Sequence, residues 1–129
     1  MLLACFSKAQ SNGNWQPLSF ISGTNSINGV EAYSQATTCN GTEMVLLKFI
    51  NHNYFAVRAG WKDMAVTKDN QHLSANTAQD SVSIGANSEV AGTCAGNMTQ
   101  LALKLSDFGI DMNKFNYLIA IDFSFVKVH

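Results

Sequence analysis

Between residues 43 and 64 apolar and polar positions alternate twice over. Val45, Leu47 and Phe49 fall on one face of a first strand, and Phe55, Val57, Ala59 and Trp61 on one face of a second. Asn51-His52-Asn53 lies between them, short and turn-prone. Period-two alternation on both sides of such a turn predicts a β-hairpin.

The same period recurs along the chain. A strand is expected over residues 30–39, followed by the turn dipeptide Asn40-Gly41, and Asn28-Gly29 marks another turn before it. The second strand of the hairpin runs on to Thr67, the polar stretch 68–71 turns the chain, and residues 72–74 begin a short return strand. Residues 81–84 and 89–93 read as short strands. Leu101, Leu103 and Leu105 alternate with polar or small residues, which predicts a half-buried strand. The longest signal closes the chain, with Phe115, Tyr117, Ile119, Ile121, Phe123 and Phe125 on one face. No convincing helical stripe interrupts these runs.

Seven or so short strands separated by turns predict an all-β protein. An antiparallel β-sandwich, immunoglobulin-like in the loose sense, is the expected architecture, with a small β-barrel as the alternative. Residues 1–10 read as a separate stub and 11–29 as an irregular lead-in, with a short edge strand at 18–22. Residues 30–129 form the single domain.

Composition narrows the class. A chain of 129 residues with an apolar fraction of 47% can build a core without obligatory staples. Charged residues make up 13%, about half the usual share, and Asn, Ser and Thr take their place, a balance commoner in exported β-proteins. Eight bases against nine acids form no basic stripe, which argues against a nucleic-acid partner. No apolar run is long enough for a membrane-spanning helix.

Of the three cysteines, Cys5 stands near the start while Cys39 and Cys94 lie in the body. None forms a C-x-x-C or has a histidine at ligand spacing, so zinc is not expected. A Cys39–Cys94 bridge would close a loop of about 55 residues and contribute about 4 kcal/mol in the chain-entropy model. Two buried free thiols are the other reading. Leu2-Leu3-Ala4-Cys5 resembles the lipobox of bacterial lipoproteins, which implies Cys5 as the lipidated residue; no basic or long apolar segment precedes it. The tail of a signal peptide cleaved near Ala9-Gln10, or an ordinary apolar stub, fits the same residues.

The run Val45-Leu46-Leu47-Lys48-Phe49, with Asn51, Asn53, Tyr54, Val57 and Trp61, is similar to that of small exported β-sandwich proteins of bacteria. The resemblance covers about half the chain, rests on generic strand residues, and implies no activity.

Catalytic constellations are weak. His52, His72 and His129 fall at a turn, a loop and the last position, and no nucleophile elbow marks a serine. Asp63, Asp107, Asp111 and Asp122 are the acids available for a carboxylate pair, and they read as solvated. Asp107, Asp111 and Asn113 lack the regular spacing of a calcium loop, so no metal or other cofactor is expected. The sequons at Asn40 and Asn97 matter only in a eukaryotic secretory route. Asp122, mid-strand, would face solvent or pair with Lys48 or Arg58.

What is left is surface. Tyr54, Arg58 and Lys62 are expected to project together from the hairpin face opposite Phe55, Val57 and Trp61, and Tyr and Arg are enriched at binding hot spots. The terminal strand is expected to be a central or protected strand of its own domain, although it could add to another subunit's sheet. The chain therefore reads as a non-catalytic binding or structural module, secreted, periplasmic or outer-surface, with a protein or glycan partner. Membrane contact would come only through a lipid on Cys5. A subunit of an envelope assembly joined by strand addition is the alternative, and a small hydrolase the third.

Overall fold

The computed structural model describes residues 14–20, 23–75 and 79–128. Ten strands follow in chain order: β1 (Gln16–Pro17), β2 (Ser26–Ile27), β3 (Val30–Cys39), β4 (Thr42–Asn51), β5 (Val57–Thr67), β6 (His72–Leu73), β7 (Asp80–Ile84), β8 (Glu89–Ala91), β9 (Ala102–Lys104) and β10 (Phe115–Lys127). They form two antiparallel sheets. The first runs β1-β3-β4-β8, with β2 also on β3 and β9 also on β4; the second runs β10-β5-β6, with β7 also on β5. Neither sheet closes on itself. The fold is an all-β sandwich, not a barrel.

The two Asn-Gly dipeptides make the tight turns their composition demands. Asn28 and Gly29 have φ of 50° and 81°, and Asn40 and Gly41 have 51° and 84°. Positive φ at both central residues matches the twist of the flanking strands, so β2–β3 and β3–β4 are hairpins with Ile27 opposite Val30 and Cys39 opposite Thr42.

The expected hairpin over residues 43–64 is absent. β4 and β5 lie in different sheets, and the chain between them crosses the sandwich as an arch. Alternation specifies which face of a strand is apolar but not which strand lies beside it. Here the two apolar faces oppose each other: Val45, Leu47 and Phe49 look across at Val57, Ala59 and Trp61, all fully buried. The Phe49 and Trp61 rings meet at a centroid distance of 4.7 Å. Separated in this way, β4 is flanked by β3 on one edge and by β8 and β9 on the other.

Three more expectations need correction. The described residues of the lead-in, 14–20 and 23–29, are integral to the sandwich: β1 and β2 both pair with β3, and Leu18 and Phe20 are buried in the core. The lead-in's edge strand falls at Gln16–Pro17; of the expected 18–22, Ser19 makes a single bridge to Ile119, and residues 21–22 lie outside the described residues. Leu101 and Leu105 reach the core from 3-10 turns, Thr99–Leu101 and Leu105–Phe108, that flank the short β9. The strand predicted there shrinks to three residues.

β10 departs from simple alternation twice. Register shifts fall between Phe115 and Tyr117 and between Ile121 and Ser124. Each extra residue turns the following side chains to the opposite face. Phe115, Leu118 and Ala120 are therefore buried while Tyr117 is 46% exposed, and Phe123 and Phe125 return to pack on the core. Asp122, with φ of 52°, sits in the second bulge. β10 is not central but the end strand of its sheet, and its outer edge is covered at one point, where Ser19 bridges to Ile119 and Ala120 N–H donates to the Ser19 carbonyl at 2.9 Å.

Candidate binding surface

The arch between β4 and β5 owes its shape to Asn51. A polar residue continues the β4 ladder at a position that is 1% exposed. Its Nδ2 donates to the carbonyls of Phe55 at 2.9 Å, Gly85 at 3.0 Å and Ile84 at 3.3 Å. Its Oδ1 accepts from the backbone N–H and the Nδ2 of Asn53, both at 2.9 Å. One amide side chain thus replaces the main-chain bonds a hairpin turn would make. Among the described residues no buried side-chain polar atom lacks a partner.

Neighbouring loops lock the arch further. His52 N–H donates to the Gly29 carbonyl, Asn53 Nδ2 to the Asn28 carbonyl, and Asn87 N–H to the Asn53 carbonyl, at 2.8, 3.0 and 2.9 Å. A Cβ on Gly29 would lie 2.8 Å from the Asn53 side chain, so this approach requires glycine. From the arch projects Tyr54, 90% exposed. The next residue, Phe55, packs partly on the core, with the Lys127 ammonium 4.6 Å from its ring centroid.

Of the three residues expected on one hairpin face, Arg58 and Lys62 lie on the outer face of β5, while Tyr54 stands off the strand, on the arch. Arg58 is exposed, opposite Val126 of β10 on one side and Ser83 of β7 on the other. Val126 is 57% exposed. Lys62 Nζ lies 3.5 Å from Asp122 Oδ2, so Asp122 pairs with Lys62 and not with Lys48 or Arg58. Lys48 is engaged elsewhere, 4.8 Å from the Trp15 ring centroid and 5.3 Å from that of Tyr33. Two exposed features are left near the arch: Tyr54 on the arch itself, and the Arg58–Val126 pair at the adjoining start of β5. Lys127 and Val126 escaped the sequence reading because the β10 bulges hide their placement.

The cysteines define a second region. Cys39 and Cys94 are joined in a disulfide with Cα atoms 5.2 Å apart, tying the end of β3 to the loop after β8. Such a bond belongs to an oxidising compartment. Cys5 lies outside the described residues, as does His129. The disulfide borders an open cleft of about 650 Å³, whose wall includes Asp80, Gln100, Lys104 and Asp107.

Asp63, expected to be solvated, faces inward behind this wall. The alternation that places Trp61 and Ala65 in the core already signals it. Trp61 Nε1 donates to Asp63 Oδ1 at 2.7 Å, and Asp80, opposite Trp61 in the β5–β7 ladder, lies on the same face, diagonal to Asp63. Burial, then the Asp80 carboxyl, push Asp63 up from 3.8 to about 8, against the lowering effect of the indole.

Two other polar candidates, His52 and Asp111, have local partners. His52 Nε2 lies 2.9 Å from Glu31 Oε1 on the surface. Asp111 Oδ1 accepts from the N–H groups of Asn113 and Lys114, which makes it a turn-forming residue. Among the described residues no three His, Cys, Asp or Glu side chains converge to hold a metal, and no helix is long and apolar enough to cross a membrane. Comparison with protein-family models, curated proteins and solved structures finds no match to this chain.

Proposed function

We propose that this chain is a non-catalytic binding module of the bacterial cell envelope or secreted fraction, and that a protein or glycan partner docks at the arch end on Tyr54 and Arg58. One observation carries the reading. Tyr54 is 90% exposed, yet the backbone on both sides of it is pinned by Asn51 and Asn53. A contact residue on a pre-ordered loop avoids the entropy loss of ordering on binding. Tyrosine adds a large amphipathic surface, and arginine, at the start of β5, a planar donor fork. The disulfide supports an oxidising location, and a lipid on Cys5 belongs to the same proposal.

Strand addition is favoured by one finding, the position of β10 at the end of its sheet. Against it stand the bulge at Asp122 and the charge of Lys127, both devices that discourage edge pairing. The Asp63–Asp80 pair is the feature a hydrolase would need. However, Asp80 lines the cleft while Asp63 does not, and the two are diagonal neighbours on one face of the β5–β7 ladder, with the Trp61 indole on Asp63. A glycosidase keeps its pair about 5–9.5 Å apart to admit sugar and water. The non-catalytic reading stands above both.

Co-sedimentation with purified envelope material, cell wall and membranes separately, tests the proposal. The wild type should sediment with one fraction, and the Tyr54→Ala/Arg58→Ala variant should remain in solution at an unchanged thermal midpoint. Equal sedimentation of both proteins, or of neither, would contradict it.

A further inference from the structure

Position 63 is where the pattern of β5 calls for an apolar side chain. Val57, Ala59, Trp61 and Ala65 share its inward face and are fully buried. An acid placed there forgoes most of its hydration and must find partners inside. It has two. The Trp61 indole N–H is one, at 2.7 Å. The other is Asp80, directly opposite Trp61 in the β5–β7 ladder and therefore on the same inward face, diagonal to Asp63. Two carboxyl groups can hydrogen-bond only if one of them holds a proton.

Few other charges bear on the pair. Across β5, the residue opposite Asp63 on β10 is Ala120, which brings no charge. From the first sheet and its 3-10 turns, Lys104 and Asp107 share the cleft wall with Asp80. Lys62, next to Asp63 in sequence, points outward to Asp122. Asp80 is also the first residue of β7, so the pair closes the last rung between β7 and β5. Beside it, Gln79 Nε2 donates to the Asp122 carbonyl at 3.0 Å and Gln100 Nε2 to the Ser81 carbonyl at 3.2 Å.

We propose that Asp63 and Asp80 form a proton-held clasp that fastens the start of β7, and with it one wall of the cleft, to β5. The clasp is closed while the two carboxyls share a proton. It opens when both ionise, because two adjacent carboxylates repel and neither can donate. Opening is local, since the Gln79 and Gln100 bonds do not depend on that proton.

The direction with pH follows from linkage. Unfolded, Asp63 loses its proton near the ordinary value of 3.8; folded, it holds it until about 8. Between those values the folded chain binds the extra proton, so stability is full below about pH 4, falls as pH rises to about 8, and then levels off. This one group changes the folding equilibrium by up to about tenfold per pH unit across that window.

Three readings on the intact protein test the clasp. The carboxyl carbon of Asp63, followed by NMR, should titrate near 8 rather than near 4. Urea unfolding should lose the pH slope of the wild type in Asp63→Asn, whose amide donates to Asp80 at every pH. If that variant does not fold, Asp80→Asn serves, since its amide donates to the Asp63 carboxylate and lowers its titration. Amide exchange over residues 80–82, corrected for its intrinsic pH dependence, should quicken above about pH 8 in the wild type only. An Asp63 carboxyl titrating near 4, an unchanged slope in the variants, or equal protection of 80–82 on both sides of the transition would each overturn the proposal.

Discussion

Phe49 and Trp61 stand on consecutive strands that do not hydrogen-bond to each other, yet their rings meet at 4.7 Å and 47° across the sandwich. That contact is the signature of an arch where alternation alone suggests a hairpin. Truncating either ring removes a fully buried aromatic from the interface between the sheets. Phe49→Ala and Trp61→Ala should each lower unfolding free energy by about 3–5 kcal/mol in urea titrations. The two losses should be non-additive by about 0.5–1.5 kcal/mol, because one ring contact is counted in both.

Asn51 is the second test of the arch. Asn51→Ala leaves three carbonyls and the Asn53 donors without their shared partner in a nearly closed site. A loss of about 1–3 kcal/mol is expected, with faster proteolysis within residues 52–56. Asn51→Asp should not rescue it, since a carboxylate has no N–H to give those carbonyls.

Glycine substitutions separate close packing from backbone strain. A Cβ on Gly92 would lie 1.9 Å from the Leu101 carbonyl oxygen, a backbone atom that cannot swing aside. Gly92→Ala should therefore destabilise by at least about 3 kcal/mol or fail to fold. Gly41 has open space around it but a φ of 84°. Gly41→Ala should cost only about 1–2 kcal/mol, through the left-handed backbone alone. Thermal and urea midpoints of the two variants distinguish the mechanisms.

Removing the Cys39–Cys94 disulfide with Cys39→Ser/Cys94→Ser should cost about 2–5 kcal/mol, mainly by freeing the unfolded chain. Reduction of the wild type with a thiol should reproduce the same shift in the urea midpoint. The two treatments agree only if the bond is formed in the starting protein.

How far the sequence reaches can be read from particular residues. Asn28-Gly29 and Asn40-Gly41 are legible because positive φ at both positions is a local requirement with few solutions. The ends of β3 follow from them. Pairing between β4 and β5 is not legible, because Val45, Leu47 and Phe49 present the same pattern to a hairpin partner and to a facing sheet. The faces of β10 are hidden for another reason: a bulge at Asp122 shifts register without a glycine to announce it. The inward Asp63 is the opposite case. Its place in the alternation of Trp61 and Ala65 is plain from the sequence, while Asp80, its partner, is brought to it only by the β5–β7 register. Of the arch-end surface, Tyr54 and Arg58 are visible as residue types, and Val126 joins them through the ladder that sets it opposite Arg58.

Amide NMR of the folded protein decides whether the arch end is the docking surface. Spectra recorded with and without the envelope fraction that sediments with it should show broadening confined to residues 52–58 and 126–128. Selective broadening over the cleft at 93–104, or along the β10 edge at 117–125, would place docking elsewhere, and a spectrum that does not change would rule it out.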